Sequence, residues 1–142
     1  PFSKPYTFIA LDQAFPGSKF ILTVRDTPDQ WYNSITKFHA KKWSENNQIP
    51  TKTDLQNADY KYKGWAWEMN RLQYTTPETE PYLKDELIRR YNDHNNLVID
   101  YFRHRPNDLL VLNVSHKGAY KKLCEFLEIE TVFGDFPWVN KT

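Results

Sequence analysis

Two hydrophobic patterns alternate along the chain: short continuous runs and stripes at helical spacing. Residues 20–24, Phe-Ile-Leu-Thr-Val, are a compact apolar, β-branched run, the pattern of a strand buried on both faces. Residues 109–114, Leu-Leu-Val-Leu-Asn-Val, make a second such run after the turn Pro106-Asn107-Asp108. The stripes lie around them. Phe8, Leu11 and Phe15 recur at i, i+3 and i+7 and predict a helix over 4–15, ended by Pro16-Gly17-Ser18. Trp31, Ile35 and Phe38 predict a helix from Pro28 to about Lys42. Its start reads as Thr27 at the N-cap, Pro28 at the first position and Gln30 closing a capping box.

Pro81 opens a long helix to about Arg103, with Leu83, Leu87, Tyr91, Val98 and Phe102 on its inner face. Asp85 and Glu86 followed by Arg89 and Arg90 add i,i+4 pairing. A last helix carries Tyr120, Leu123, Cys124 and Leu127. Residues 44–58 are polar, lack periodicity and are expected to be loop. Residues 59–75 are dense in aromatics (Tyr60, Tyr62, Trp65, Trp67 and Tyr74) and read in two ways: a helix packed on the domain, or a cap over a flat or greasy substrate. The aromatic tail from Thr131 is expected to lie back against the domain. Strands separated by helices predict a three-layer α/β fold, with 19–24 and 109–114 in one mostly parallel sheet flanked by helices.

Composition narrows the classes. The chain has 142 residues, 39% of them hydrophobic and 16% aromatic, enough for one core. Nineteen basic against eighteen acidic residues leave no global basic field for nucleic acid or an anionic membrane. No apolar run is long enough to span a membrane. Cys124 stands alone, so no intrachain disulfide or cysteine-based zinc site is expected, and the compartment expected is a reducing, cytoplasmic one. No His/Asp/Glu cluster has metal spacing. Pro1 stands where an initiator Met would, with no lead-in strand, so residues 1–142 are expected to form a single domain truncated at its N-terminus.

The chemistry concentrates where the first strand meets the following helix. Free backbone N–H groups and the positive end of a helix dipole converge at such junctions, and open α/β sheets bind anions there. Arg25 sits at this junction and Ser34 lies two turns along the helix. Lys37 and Lys41 share the serine's edge. The plainer alternatives are an Arg25–Asp26 surface ion pair and a solvated serine.

The stretch Phe20-Ile-Leu-Thr-Val-Arg25-Asp-Thr-Pro-Asp-Gln-Trp31-Tyr-Asn-Ser34 resembles the second nucleotide-binding element of sulfotransferases that use 3′-phosphoadenosine 5′-phosphosulfate (PAPS). The resemblance continues through His104-Arg-Pro-Asn-Asp-Leu-Leu-Val-Leu-Asn-Val114, Lys122-Leu-Cys-Glu-Phe-Leu127 and Phe136-Pro-Trp-Val-Asn-Lys-Thr142, and is closest to the C-terminal part of bacterial-type members. It implies a P-loop-like fold and a nucleotide-binding transferase that moves a sulfuryl group from PAPS to a hydroxyl or amine acceptor, releasing 3′-phosphoadenosine 5′-phosphate (PAP). It further implies that Arg25 and Ser34 hold the donor's 3′-phosphate. Thr27 stands between Asp26 and Pro28 where the family reads Arg-Asp-Pro, which lengthens the arginine-to-serine spacing by one.

The family's glycine-rich loop for the 5′-phosphosulfate has no counterpart. Gly17, Gly64, Gly118 and Gly134 are scattered. The catalytic base is expected upstream of Pro1, and this chain is expected to hold the 3′-phosphate half of the donor site. Of the in-chain histidines, His39, His94, His104 and His116, none has a partner at short spacing, and His94 and His104 fall on the predicted long helix. His116 alone follows the C-terminal end of a predicted strand. Two other readings stay open: a fragment of a small P-loop-type kinase, and a non-enzymatic remnant kept for binding.

Overall fold

The computed structural model describes residues 6–137. In chain order they form α1 (Thr7–Ala14), β1 (Phe20–Thr23), α2 (Pro28–Trp43), α3 (Lys52–Asn57), α4 (Trp65–Gln73), α5 (Lys84–Tyr101), β2 (Leu109–Leu112) and α6 (Ala119–Leu127). The two strands pair in parallel as predicted, with Phe20 opposite Leu109 and Thr23 opposite Leu112. Beyond the ladder, the Val24 N–H donates to the Leu112 carbonyl at 3.0 Å. The expectation of burial on both faces fails in part. Ile21 and Val111 each remain 44% exposed, because among the described residues the sheet has only two strands and each strand has an open side.

Two apolar clusters hold the helices, and α5 belongs to both. Near its C-terminal end, Val98 and Phe102 pack with Leu22, Phe20 and Leu109 of the sheet and Phe8 of α1. Near its N-terminal end, Leu87 packs with Tyr32 of α2, Leu55 of α3, Ala66 of α4, and Tyr74 and Tyr82. An ion pair between buried Asp12 and part-exposed Arg105, with Tyr101 also donating to Asp12, ties α1 to the segment before β2. So the strand pair and the helical side rest on one continuous spine.

The inner face of α2 differs from the predicted stripe. Tyr32, Thr36 and Ala40 are buried, whereas Phe38 is 42% exposed beneath the Lys42 ammonium. The Tyr32 hydroxyl donates to the Tyr82 carbonyl and Thr36 Oγ1 donates to the Tyr32 carbonyl, so polar tips are satisfied inside. A stripe counted on purely apolar residues misses such a face by one position.

Residues 44–58 are not all loop. Thr51 Oγ1 accepts the Asp54 N–H, Asp54 returns a carboxylate to the Thr51 N–H, and this reciprocal cap starts α3, which buries Leu55 completely. The aromatic stretch 59–75 forms α4 from Trp65, after Gly64 in the left-handed region, and packs on the helical cluster. Helix α5 begins at Lys84, not Pro81, because Tyr82 is drawn into the core at 3% exposure. The described part of the tail rests on Tyr120, whose ring lies 6.1 Å from that of Phe133 and 5.4 Å from that of Phe136. Residues 4–5 of the first predicted helix and residues 138–142 of the tail lie outside the described part. Among the described residues no helix is long and apolar enough to cross a membrane.

Candidate anion-binding cleft

The chain leaves β1 at Val24 and turns through Arg25, Asp26 and Thr27 into α2. Thr27 is the N-cap: its Oγ1 accepts the Gln30 N–H at 3.0 Å. The second arm of the expected capping box lands one residue earlier, since Gln30 Oε1 accepts the Asp26 N–H at 2.9 Å. Thr27, the extra residue in this turn, is therefore taken up as the cap. Behind the turn, Trp31 stacks on Tyr91 of α5 with centroids 4.7 Å apart, and the Tyr91 hydroxyl accepts the Arg25 N–H at 2.9 Å.

Arg25 and Ser34, the two predicted site residues, come together. An Arg25 guanidinium nitrogen donates to Ser34 Oγ at 3.4 Å, and both side chains are half-buried. They line a cleft of about 850 Å³ whose wall continues through Asp26, Asp29, Asn33 and Lys37, crosses to Val114, Ser115 and His116 after β2, and includes Phe136 and Pro137. Of the two lysines on the serine's edge, Lys37 reaches this wall; Lys41 does not line it and is exposed.

The electrostatics of the cleft follow from how its carboxylates are used. Asp29 pairs with Lys84 at 2.6 Å. Asp26 does not pair with its neighbour Arg25. Its Oδ1 instead accepts from Asn113 Nδ2 at 2.8 Å and contacts His116 Nε2 at 2.5 Å. The His116 contact, with help from Asn113 and Gln30 and against the cost of desolvation, holds Asp26 below the ordinary carboxylate value of 3.8. Arg25 and Lys37 have no carboxylate partner among the described residues. A cleft with compensated acids and uncompensated cations suits an anionic ligand.

Asn113 is the residue that the sequence reading passed over. It sits inside the predicted strand, but β2 ends at Leu112 and Asn113 is 7% exposed. Its Oδ1 accepts from the Ser115 N–H and Oγ while its amide reaches Asp26, so one side chain both turns the chain and bridges the two strand ends. An amide at the end of an apolar strand, followed by Val-Ser-His, was the available signal.

The four histidines separate by environment. His39 is half-buried against Trp43, its Nδ1 lies 2.8 Å from the Tyr82 hydroxyl, and burial, reinforced by Lys42, lowers its pKa to about 4. His94 packs edge-on to Phe8 and is lowered by burial. His104 lies past the end of α5, not on it, where its Nε2 accepts from Arg103. Only His116 lines the cleft, and its acidic partner is 90 residues away in sequence.

Over residues 4–142 the chain matches the family model of the sulfotransferase domain. It belongs to that family. No curated protein and no solved structure matches it. Within this sulfotransferase domain, the cleft falls at the β1–α2 junction and is closed on its far side by the turn after β2.

Proposed function

We propose that the chain is a PAPS-dependent sulfotransferase domain of three-layer, P-loop-like type, and that its cleft is the 3′-phosphate-binding half of the donor site. The observation that carries this reading is the Arg25–Ser34 pair at a strand-to-helix junction, in a cleft whose own carboxylates are engaged elsewhere. The residues fit the group. A phosphate dianion calls for a guanidinium fork, a hydroxyl donor and little competing negative charge. Arg25, Ser34 and Lys37 supply the first two and an added cation, and the pairing of Asp26 and Asp29 meets the third.

PAPS supplies an activated sulfuryl group for transfer to a hydroxyl or amine acceptor. This chain's contribution is to bind and orient. Arg25 grips the 3′-phosphate, Ser34 donates to it and keeps the guanidinium aligned, and Tyr91 fixes the backbone from which Arg25 projects. Holding the far end of a donor is productive because positioning removes much of the entropic barrier to transfer.

The test is calorimetric titration of the full chain with PAP, with 5′-AMP and ATP as controls lacking the 3′-phosphate. PAP should bind at least tenfold tighter than either control. Arg25→Ala should remove about 1.5–3 kcal/mol, one to two orders of magnitude in affinity, and Ser34→Ala about 1 kcal/mol. Equal binding of PAP by Arg25→Ala and the parent overturns the assignment.

A further inference from the structure

Arg25 and Asp26 are adjacent in sequence, at the end of a strand, and both line the cleft, yet they do not pair. Asp26 is instead held from the far strand, by Asn113 and His116 at the end of β2. The hydrogen-bond chemistry defines the state of the imidazole. A carboxylate can only accept, so His116 Nε2 carries the proton in its contact with Asp26, and Nδ1 is the atom that gains one when the ring becomes charged. The 3.3 Å approach of Asn113 Nδ2 to His116 Nε2 is then two donors converging on one carboxylate oxygen rather than a bond between them.

We propose that His116 is a positioning residue for anion binding: it holds Asp26 off Arg25 and, in its charged form, cancels the Asp26 charge. This rests on the reading of the cleft as a phosphate site. If His116 is removed, Asp26 has one donor fewer and becomes a competitor for Arg25, the group that the phosphate needs. Asn113 alone cannot supply the missing charge. The other charged groups around the imidazole are Arg25 and Asp26 at the end of β1, and Asp29 and Lys37 on α2, with Asp29 tied to Lys84.

The experiment is a double-mutant cycle on the full chain, read by calorimetric affinity for PAP at pH 6. His116 is largely exposed and Asp26→Asn is isosteric, so the variants should fold; thermal melts check this. At pH 6, His116→Gln should bind PAP about three- to tenfold more weakly than the parent. In the Asp26→Asn background the same change should cost less than about twofold, because there is no longer a carboxylate to restrain. An equal loss from His116→Gln in both backgrounds overturns the proposal while leaving the phosphate site standing. If Arg25→Ala also binds PAP like the parent, the phosphate-site reading falls, and this inference falls with it.

Discussion

The Tyr91 hydroxyl of α5 accepts the backbone N–H of Arg25 at 2.9 Å. The ladder ends with the Val24 N–H, which donates to the Leu112 carbonyl, and the N–H of the next residue, Arg25, is taken by a tyrosine of the core helix. Tyr91→Phe keeps the stack on Trp31 and removes only the acceptor. It should cost about 1 kcal/mol in urea denaturation and weaken PAP binding a few-fold, through a looser Arg25. Unchanged values in both measurements would show that the turn is held by other contacts.

Lys37 and Lys41 sit one helical turn apart on α2, but only Lys37 reaches the cleft. Lys37→Ala should therefore weaken PAP binding and flatten its salt dependence, whereas Lys41→Ala should leave both unchanged. Titrations at low and high ionic strength separate the two. Equal effects would mean that a diffuse lysine field, rather than a lined site, attracts the ligand.

His39 provides the clearest link between pH and stability. Its folded pKa, about 4, lies below the ordinary 6.5, so the folded state prefers the neutral ring. The stabilisation is fully present above pH 6.5. It is lost as pH falls from 6.5 towards 4, where the unfolded chain takes up a proton that the fold refuses. The loss should be on the order of 3 kcal/mol across that window. His39→Gln should show a shallower decline in urea midpoint between pH 7 and pH 4.5 than the parent; parallel declines would sink the assignment.

The short helix α3 depends on its cap. Thr51→Ala removes one half of the reciprocal arrangement with Asp54 and should cost about 1 kcal/mol. Leu55→Ala empties a fully buried position and should cost about 2–5 kcal/mol. Chemical denaturation of the two variants measures the ratio. If Thr51→Ala costs as much as Leu55→Ala, the cap does more than start a helix.

The 142-residue chain by itself should bind PAP yet transfer little or no sulfate. It contains no glycine-rich turn to grip a 5′-phosphosulfate. Losing an electrostatic grip or a positioned base commonly lowers rates by factors of about 10² to 10⁴. Incubation with labelled PAPS and a panel of phenols, alcohols and sugars checks this. Turnover well above a heat-killed control would assign the chemistry to groups within this chain.

The parallel pairing of residues 20–24 with 109–112 was legible because both runs are short, apolar and bounded by turn residues. The Arg25–Ser34 pair was legible because it lies within one strand–turn–helix unit, where local geometry fixes what meets what. The orientation of α2 was not, since Tyr32 and Thr36 bury polar tips that a count of apolar residues discards. Helix α3 was missed for the opposite reason: its capping residues, Thr51 and Asp54, were visible, but six residues are too few to establish a period. The Asp26–Asn113–His116 cluster was out of reach. Its members are 87 and 90 positions apart, and only the register of the two strands brings them level.

That register also bears on the order of folding. Phe20 and Leu109 are 89 positions apart, so closing the strand pair spends the entropy of a long loop before any ladder bond is formed. The helical cluster around Leu87 joins segments closer together in sequence and can condense first. Both halves of the cleft hang on the later event: Arg25 leaves one strand and His116 follows the other. The anion site should then be the last part of the molecule to assemble and the first to open, and a bound phosphate would act as a clasp that slows unfolding more than it speeds folding.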